Sequence, residues 1–452
     1  MRPRHARAGA VRVRAPADRT PTQDMLRQLA HAIRGVFVGA RHLMLLAVPA
    51  GLAAQSTTLT LADVVQRIER ANPMLAAARA SADAARDRIG PATALPDPRA
   101  QFAVMNRMLP GLTTMSPLAM DQLTVTQMLP LATRRASAQA ATARSRVTAA
   151  SIDIQRFMLR RDAALMLADW WQADASRAVM DETRLLLRET IAAGEAMYRS
   201  GSGSQADVLR MQAELTRMTA EWMRMDAMRR SAAASLSAML DAAIDPDSMN
   251  AQLPEALDAS APTRDDVSSP SLHAAKLAVD ASLAEEAVAR GMRWPELEVG
   301  VQLGQRPGTS ERMIGVMAGV SLPVFARQRQ QQMIEEAAAM RRMAEAEARN
   351  AAAENRAGIT EAQATIARSH ALLGLYDTTL LPQLQAVRES AEAAYRAGTG
   401  GLEAVLNAVM AVNEARLARV TARADEVRAL ARLEPRTGRA WLAAPLHTER
   451  VP

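Results

Sequence analysis

From Val208 onward, apolar residues recur at alternating steps of three and four: Val208, Met211, Leu215, Met218, Trp222, Met225, Arg229, Ala232, Leu236 and Met239, nine of the ten apolar. That spacing predicts the seam of a coiled coil. Ahead of it stands Tyr198-Arg199-Ser200-Gly201-Ser202-Gly203, where Gly201 and Gly203 supply turn backbone, and ahead of that lies a stretch of helix-forming composition from Thr133. Thr133 to Leu240 therefore reads as two helices joined by a Gly/Ser turn. The first arm would be on the order of 100 Å long at about 1.5 Å per residue. No compact globular domain needs such a helix.

The turn returns as Tyr395-Arg396-Ala397-Gly398-Thr399-Gly400, again followed by an apolar stripe: Leu406, Met410, Leu417, Val420, Ala424, Val427 and Ala431. The two turns lie 197 residues apart, as do Asn72-Pro73 and Ser269-Pro270, and Pro98 and Pro295. The chain is an internal duplication.

Each repeat opens with a shorter helix. Leu61 to Arg88 is helical in composition, with Thr60 as N-cap and apolar positions at Ala62, Val65, Ile68 and Leu75, until Pro91, Pro96 and Pro98 stop it. Its counterpart runs from about Leu272 to Met292. Each opening helix is followed by a pair of short strands. In the first pair, Ala100, Phe102 and Val104 alternate with Gln101, Ala103 and Met105, and Leu123 and Val125 alternate with Thr124 and Thr126, across a loop from Leu109 to Pro117. In the second, Leu297, Val299, Val301 and Leu303 oppose Glu296, Glu298 and Gln302. Beyond the turn at Arg306-Pro307-Gly308, Ile314, Val316, Ala318, Val320 and Leu322 oppose Met313, Gly315, Met317, Gly319 and Ser321. One apolar face and one polar or small face on strands of about nine to eleven residues suit a lipid-facing barrel wall. Trp294 and Phe325, at the strand ends nearest the helices, would mark one membrane interface. A soluble sheet packed on a helix would read the same way if the strands stood alone.

The organisation expected is therefore a leader at 1–54, a first repeat at 58–240, a Pro-rich acidic linker at 241–269, a second repeat at 270–435, and a tail without periodicity at 436–452. Pro130 and Pro323, which close the strand pairs, lie 68 and 72 residues before their turns at Tyr198 and Tyr395. Both hairpin tips thus fall at nearly one depth, about one helical turn apart.

Composition changes this picture little. The formal net charge of +7 and the pI near 10.7 suggest an anionic partner. Yet residues 1–54 hold nine Arg and two Asp, so the remaining 46 basic and 46 acidic residues cancel. A nucleic-acid footprint has to sit on the folded part, and none does. The leader instead has the layout of a secretory signal: a basic region through Arg41, an apolar run from Leu43 to Ala53, and small residues at Gly51, Ala53 and Ala54. Met25 is an equally good start. The chain has no Cys, which fits export and rules out disulfides and an N-terminal lipid anchor on cysteine. With no later uninterrupted apolar twenty-mer, any entry into a membrane is by strands.

Four strands cannot close a membrane barrel, because open edges are not tolerated in lipid and the smallest single-chain barrels have about eight strands. Three copies would supply twelve, with the helical hairpins continuing the wall. The duplicated plan is similar to the outer-membrane efflux family typified by TolC. The matches are Asn72-Pro73, Pro96-Asp97-Pro98, Gln127-Met128-Leu129-Pro130, Val320-Ser321-Leu322-Pro323-Val324-Phe325 and the two Tyr-Arg-x-Gly-x-Gly turns, over about residues 58–435. The resemblance implies a mainly α fold with a small β part. It would be a homotrimer with a twelve-stranded barrel in outer-membrane lipid and an α-helical tunnel through the periplasm. It also implies docking by the turns at Gly201, Gly203, Gly398 and Gly400 onto a periplasmic adaptor (membrane fusion protein), which links the duct to an inner-membrane pump, of RND type in the branch suggested below. The tunnel would close at the tips, where Asp207 and Tyr395 match the family pattern and Arg396, Glu403 and Asn407 stand nearby. Ala404 and Asn407 occupy places where some members carry acids, and Gly400 replaces a basic residue, so the gate's charges depart from the pattern. Asp207 and Glu403 also suit helix N-termini, worth about 0.3 to 1 kcal/mol each.

Methionine stands out, at 27 residues. Met105, Met108, Met115, Met120 and Met128 cluster around the first strand pair, and thioether sulfur is a soft ligand. In the seam, by contrast, Met211, Met218, Met225 and Met239 are adaptable core filler. The Pro96-Asp97-Pro98 and Gln127-Met128-Leu129-Pro130 segments resemble the branch partnered with heavy-metal pumps, which leaves metals and organic drugs both open as cargo. Enzyme chemistry has no foothold: His273, His370 and His447 are not within metal-ligand spacing of one another, and there is neither a Cys nucleophile nor a phosphate loop. No cofactor is expected. A type I protein-secretion duct shares the fold, and a periplasmic coiled-coil adaptor also uses long helical hairpins, although without the duplicated strand pairs.

Overall fold

A computed structural model describes residues 57–107, 118–255 and 269–442. The expected leader, the loop from Leu109 to Pro117, Met108 and Met115, and the linker and tail at 256–268 and 443–452 lie outside the described residues.

The opening helix of the first repeat is two helices, α1 (Leu61–Ala71) and α2 (Pro73–Asp87), followed by a short α3 (Ile89–Thr93) that takes in Pro91. The break is at Asn72, where Pro73 starts α2 at its first position, the place that tolerates a missing N–H. Asn72 Oδ1 accepts from the backbone of Met74 and Leu75, and its Nδ2 donates to the Met239 carbonyl at 2.8 Å. Thr60 caps α1 as expected, in a reciprocal capping box with Asp63. Ala62 is exposed, and Leu61, Val64, Val65 and Ile68 form the buried stripe instead.

The long arm α4 (Arg134–Arg199) is one unbroken helix of 66 residues, and α5 (Gln205–Leu240) returns along it. The predicted seam is the packed face: Val208, Met211, Met218, Met225, Arg229, Ala232 and Leu236 are buried, and Leu215, Trp222 and Met239 are half-buried. Arg229, the odd member, is neutralised where it lies. It donates to the Pro246 carbonyl at 2.8 Å and stands 3.1 Å from Asp226 and 3.7 Å from Asp174. Burial pushes the Asp174 carboxyl up, against the pull of Arg229 and Arg177.

The second repeat has α6 (Pro270–Gly291), then α7 (Gln330–Leu375), a π-helical turn at Tyr376–Leu380, α8 (Leu381–Arg396) and α9 (Leu402–Thr437). The π turn sits just before Pro382, which cannot donate to the carbonyl four residues back. The wider turn absorbs that loss, with Leu381 N–H reaching the Tyr376 carbonyl. The first arm has no such interruption.

Strands β2 (Arg99–Met105), β3 (Met120–Leu129), β5 (Glu296–Gln305) and β6 (Arg312–Ser321) form one antiparallel sheet in the order β2-β3-β5-β6. Two further strands were not foreseen. β1 (Thr57–Leu59) pairs in parallel with β4 (Met249–Ala251), which lies in the stretch read as linker.

The main core gathers around this small ribbon: Leu59, Leu61, Val64, Leu167, Trp170, Leu236, Val427 and Leu433. It also includes Trp441 and Leu442, so residues 436–442, expected to be tail, are packed. Their signal is two apolar residues without periodicity, which no helical or strand pattern reveals.

Candidate functional site

The helical tips repeat bond for bond. In the first, N–H groups of Ser200, Gly201, Ser202 and Gly203 donate to carbonyls of Ala196, Tyr198, Met197 and Met197. In the second, Ala397, Gly398, Thr399 and Gly400 donate to Ala393, Tyr395, Ala394 and Ala394, each pair displaced by 197. Gly201 and Gly398 have φ of +78° and +74°, the left-handed conformation that glycine adopts without strain. Gly203 and Gly400 are needed for a different reason. A Cβ on Gly203 would stand 2.9 Å from the Tyr198 nitrogen, and one on Gly400 2.9 Å from the Ala394 Cβ. The helices leaving the turns differ: Ser204 caps α5 by accepting from Ala206 N–H, whereas Gly401 precedes α9 without a side-chain cap.

The tips pack on each other through Gly194, which sequence reasoning missed. A Cβ there would lie 3.2 Å from both Leu402 Cδ2 and Met211 Cε, so its absence lets α5 and α9 close on α4. Met211, Met218, Val208, Leu402, Val405 and Val409 fill the space between.

Of the expected gate residues, Tyr395 is half-buried against this cluster. Burial pushes its phenol up, and the Asp207 carboxylate acts in the same direction. Glu403 pairs with Arg210 at 3.3 Å, joining the two tips through exposed side chains. Arg396 turns back to Glu392 on its own helix at 3.3 Å, and Asn407 is exposed.

The sheet presents two unlike faces. Cross-strand rows Phe102-Leu123-Leu303-Ile314, Ala100-Val125-Val301-Val316 and Leu129-Leu297-Val320 make one of them. Ile314 is 75% exposed and Val316 84%. This apolar band runs about 20 Å along the strands. It ends at the row Val104-Asp121-Gln305-Arg312, where Arg107 pairs with Asp121. At the opposite end, Glu296 pairs with Ser321, so Trp294 and Phe325 flank one rim, and both are exposed. The other face carries Gln101-Thr124-Gln302-Gly315 and its neighbours. Among the described residues β2 and β6 each have a bare edge, and no described helix is long and apolar enough to cross a membrane.

Residues 266–439, the second repeat, match the family model described as outer membrane efflux protein. No curated protein matches the chain in sequence. Among solved structures the chain is similar to the outer-membrane channel OprN (20% identity, TM-score 0.69, 84% of this chain and 90% of that one). It is also similar to the outer membrane protein VceC from Vibrio cholerae (15%, 0.73, 84% and 96%). A third is the CmeC outer membrane channel of Campylobacter jejuni (13%, 0.70, 85% and 87%). At these identities the likeness is one of fold, and it extends over both repeats.

Proposed function

We propose that this chain is a member of the outer membrane efflux protein family, whose model residues 266–439 match, and that three copies close a twelve-stranded barrel in the outer membrane and a helical tunnel beneath it. The assembly is a passive exit duct. The observation that carries this reading is the four-stranded sheet, bare and apolar on one face, polar on the other and unpaired at β2 and β6. In lipid each open edge has to find a partner, and the partner of matching length is another copy's sheet.

Each repeat, 58–240 and 270–435, contributes one strand pair and one helical hairpin, joined through 241–269. The tips with Gly201, Gly203, Gly398 and Gly400 dock on a periplasmic adaptor coupled to an inner-membrane pump of RND type. Asp207 and Tyr395 narrow the entrance, while Arg396, Glu403 and Asn407 line its approach. Energy comes from the pump, because a duct has only to conduct.

A trimer in detergent that migrates differently before and after heating, and that conducts in a planar bilayer, supports the duct. A monomer without conductance would turn the reading toward a periplasmic adaptor. For cargo, a deletion strain is compared with its complemented form across copper, silver, zinc, cobalt and hydrophobic drugs. Selective metal sensitivity assigns metal efflux and drug sensitivity assigns drug efflux. No change in either points to the duct of a type I protein-secretion system.

A further inference from the structure

We propose that Arg134, Arg135, Arg293, Arg327 and Arg329 form a collar that binds the phosphodiester headgroups of an anionic phospholipid, at the rim of the sheet nearest the helices. The proposal rests on the duct reading in placing the apolar face of the sheet in lipid.

The first observation is position. β3 ends at Leu129, β5 starts at Glu296 and β6 ends at Ser321, and the register aligns these three ends at one rim. Each leads to exposed arginine: Arg134 and Arg135 beyond β3, Arg293 ahead of β5, and Arg327 and Arg329 beyond β6. The connections draw them together. A Cβ on Gly291, at the end of α6, would stand 3.0 Å from the Ala132 carbonyl oxygen and 3.2 Å from Thr133 Cγ2, so the chain leading to Arg293 touches the chain leading to Arg134. Beyond β6, the N–H groups of Gln328 and Arg329 donate to the Phe325 carbonyl at 3.0 and 3.1 Å, which folds Arg329 back to within one turn of Phe325.

The second is uncancelled charge. Arg134 donates to the Thr93 carbonyl at 2.8 Å, and among the described residues none of the five arginines meets a carboxylate. At the far rim, by contrast, Arg107 pairs with Asp121 and Arg306 with Glu311. The sequence keeps acids away: no Asp or Glu occurs between Asp121 and Asp153 or between Glu311 and Glu335. Glu296, near Arg293, stands on the polar face of the sheet. Nor do the arginines serve the helices that follow them. Positive charge is unfavourable at a helix start, yet α4 opens on Arg134 and Arg135 with no acid in its first turn, and Arg329 stands directly ahead of α7.

The third is the surroundings. Trp294, Phe325, Leu131, Leu322 and Val324 are exposed between these arginines. The apolar band starts at the same place, with the row Leu129-Leu297-Val320. A nucleic acid or an acidic protein would cover the charges and leave the aliphatic side chains bare. The boundary where acyl chains meet phosphates satisfies both, since arginine lays its stem on apolar surface and lifts its charge to the headgroups. A guanidinium presents parallel N–H donors to phosphate oxygens, and neighbouring cations together gather anionic lipid.

The test uses the full chain purified in a neutral detergent and reconstituted in phosphatidylcholine vesicles, with spin-labelled phosphatidylglycerol or spin-labelled phosphatidylcholine as reporter. The expected result for the wild-type protein is about tenfold preference for the anionic lipid, falling as added salt screens the charges. Arg135→Gln/Arg293→Gln/Arg327→Gln/Arg329→Gln should remove most of that preference, and Arg306→Gln/Arg312→Gln, at the far rim, should keep it. Wild-type protein with no preference, a preference indifferent to salt, a quadruple variant that behaves as wild type, or a far-rim variant that loses as much overturns the collar. Displacement of the anionic reporter by glycerol phosphate at equal concentration would make it a free-anion site instead, and displacement by duplex DNA a nucleic-acid surface; either also overturns the collar. Conductance in phosphatidylcholine bilayers is scored separately: a conducting trimer without lipid preference loses the collar alone, and a protein that shows the preference but never conducts loses the duct alone.

Discussion

Arg160 and Glu434 stand 274 residues apart and meet as a buried fork, with the arginine Nε and Nη2 donating to the two carboxylate oxygens at 2.6 and 3.1 Å. The pair is 1% and 0% exposed. Glu434 Oε1 also accepts from the backbone N–H groups of Trp441 and Leu442, and Arg160 Nη2 donates to the Leu442 carbonyl. One ion pair thereby fastens the middle of α4 to the end of α9 and to the residues that follow it.

Glu434→Ala leaves a guanidinium buried with no carboxylate, which should cost about 3 to 5 kcal/mol. The check is denaturant stability in detergent, with Trp441 fluorescence reporting release of the C-terminal segment. Arg160→Met combined with Glu434→Leu should recover most of the loss, since a packed apolar pair needs no compensating charge.

Tyr395 should titrate above the ordinary tyrosine value of about 10. Burial is the larger cause and Asp207 the smaller. The neutral phenol is the form the fold favours. Its contribution to stability is therefore complete below the unfolded value and is lost as pH rises through the folded one. Ultraviolet titration of wild type minus Tyr395→Phe isolates this group, and Asp207→Asn should bring it part of the way down. Tyr395→Phe with Asp207→Ala should also raise single-channel conductance if the pair narrows the entrance. Unchanged conductance in a normally assembled trimer removes them from the gate.

The two glycines of each turn should fail differently. Gly201→Ala forces a left-handed alanine and should cost about 1 kcal/mol. Gly203→Ala drives a methyl into the backbone of Tyr198 and should open the turn. Amide exchange across residues 196–206 separates the outcomes: modest acceleration in the first variant, loss of protection in the second.

Under the barrel reading, in which its side chain faces lipid, Val316→Lys should cost about 2 to 4 kcal/mol and deplete assembled protein. Gln302→Lys, on the opposite face, should assemble normally and alter ion selectivity. Equal effects at both positions would mean that the sheet does not divide lipid from water.

Much of this architecture is legible in the chain because its determinants are local. The heptad seam from Val208 to Met239 needs only a periodicity, the strand faces only an alternation, and the turns only glycines at a fixed offset. Repetition at 197 residues then counts each signal twice. What stayed hidden depends on distance. Nothing near Arg160 announces Glu434, and nothing near Met249 announces a pairing with Thr57. Gly194 reads as a weak point in a helix until Leu402 is found against it. Arg229, by contrast, was visible as the discordant seam residue, but its reasons, Asp226 and the Pro246 carbonyl, emerge only in three dimensions.

Under the trimeric reading, the edges of β2 and β6 that are bare among the described residues tie folding to dosage. A lone chain in hydrocarbon would leave unpaired amides and carbonyls that cost several kcal/mol each, so insertion and association form one equilibrium whose position depends on chain concentration. If three copies close the sheet, a melting temperature for this protein is meaningful only with a concentration beside it. Under the trimeric reading, a chain that folds its helices but carries a faulty edge would still be recruited and would leave the ring open. With equal amounts of faulty and intact chains mixing at random, about one assembly in eight would contain intact copies alone, so a single defective gene copy would remove far more function than its share.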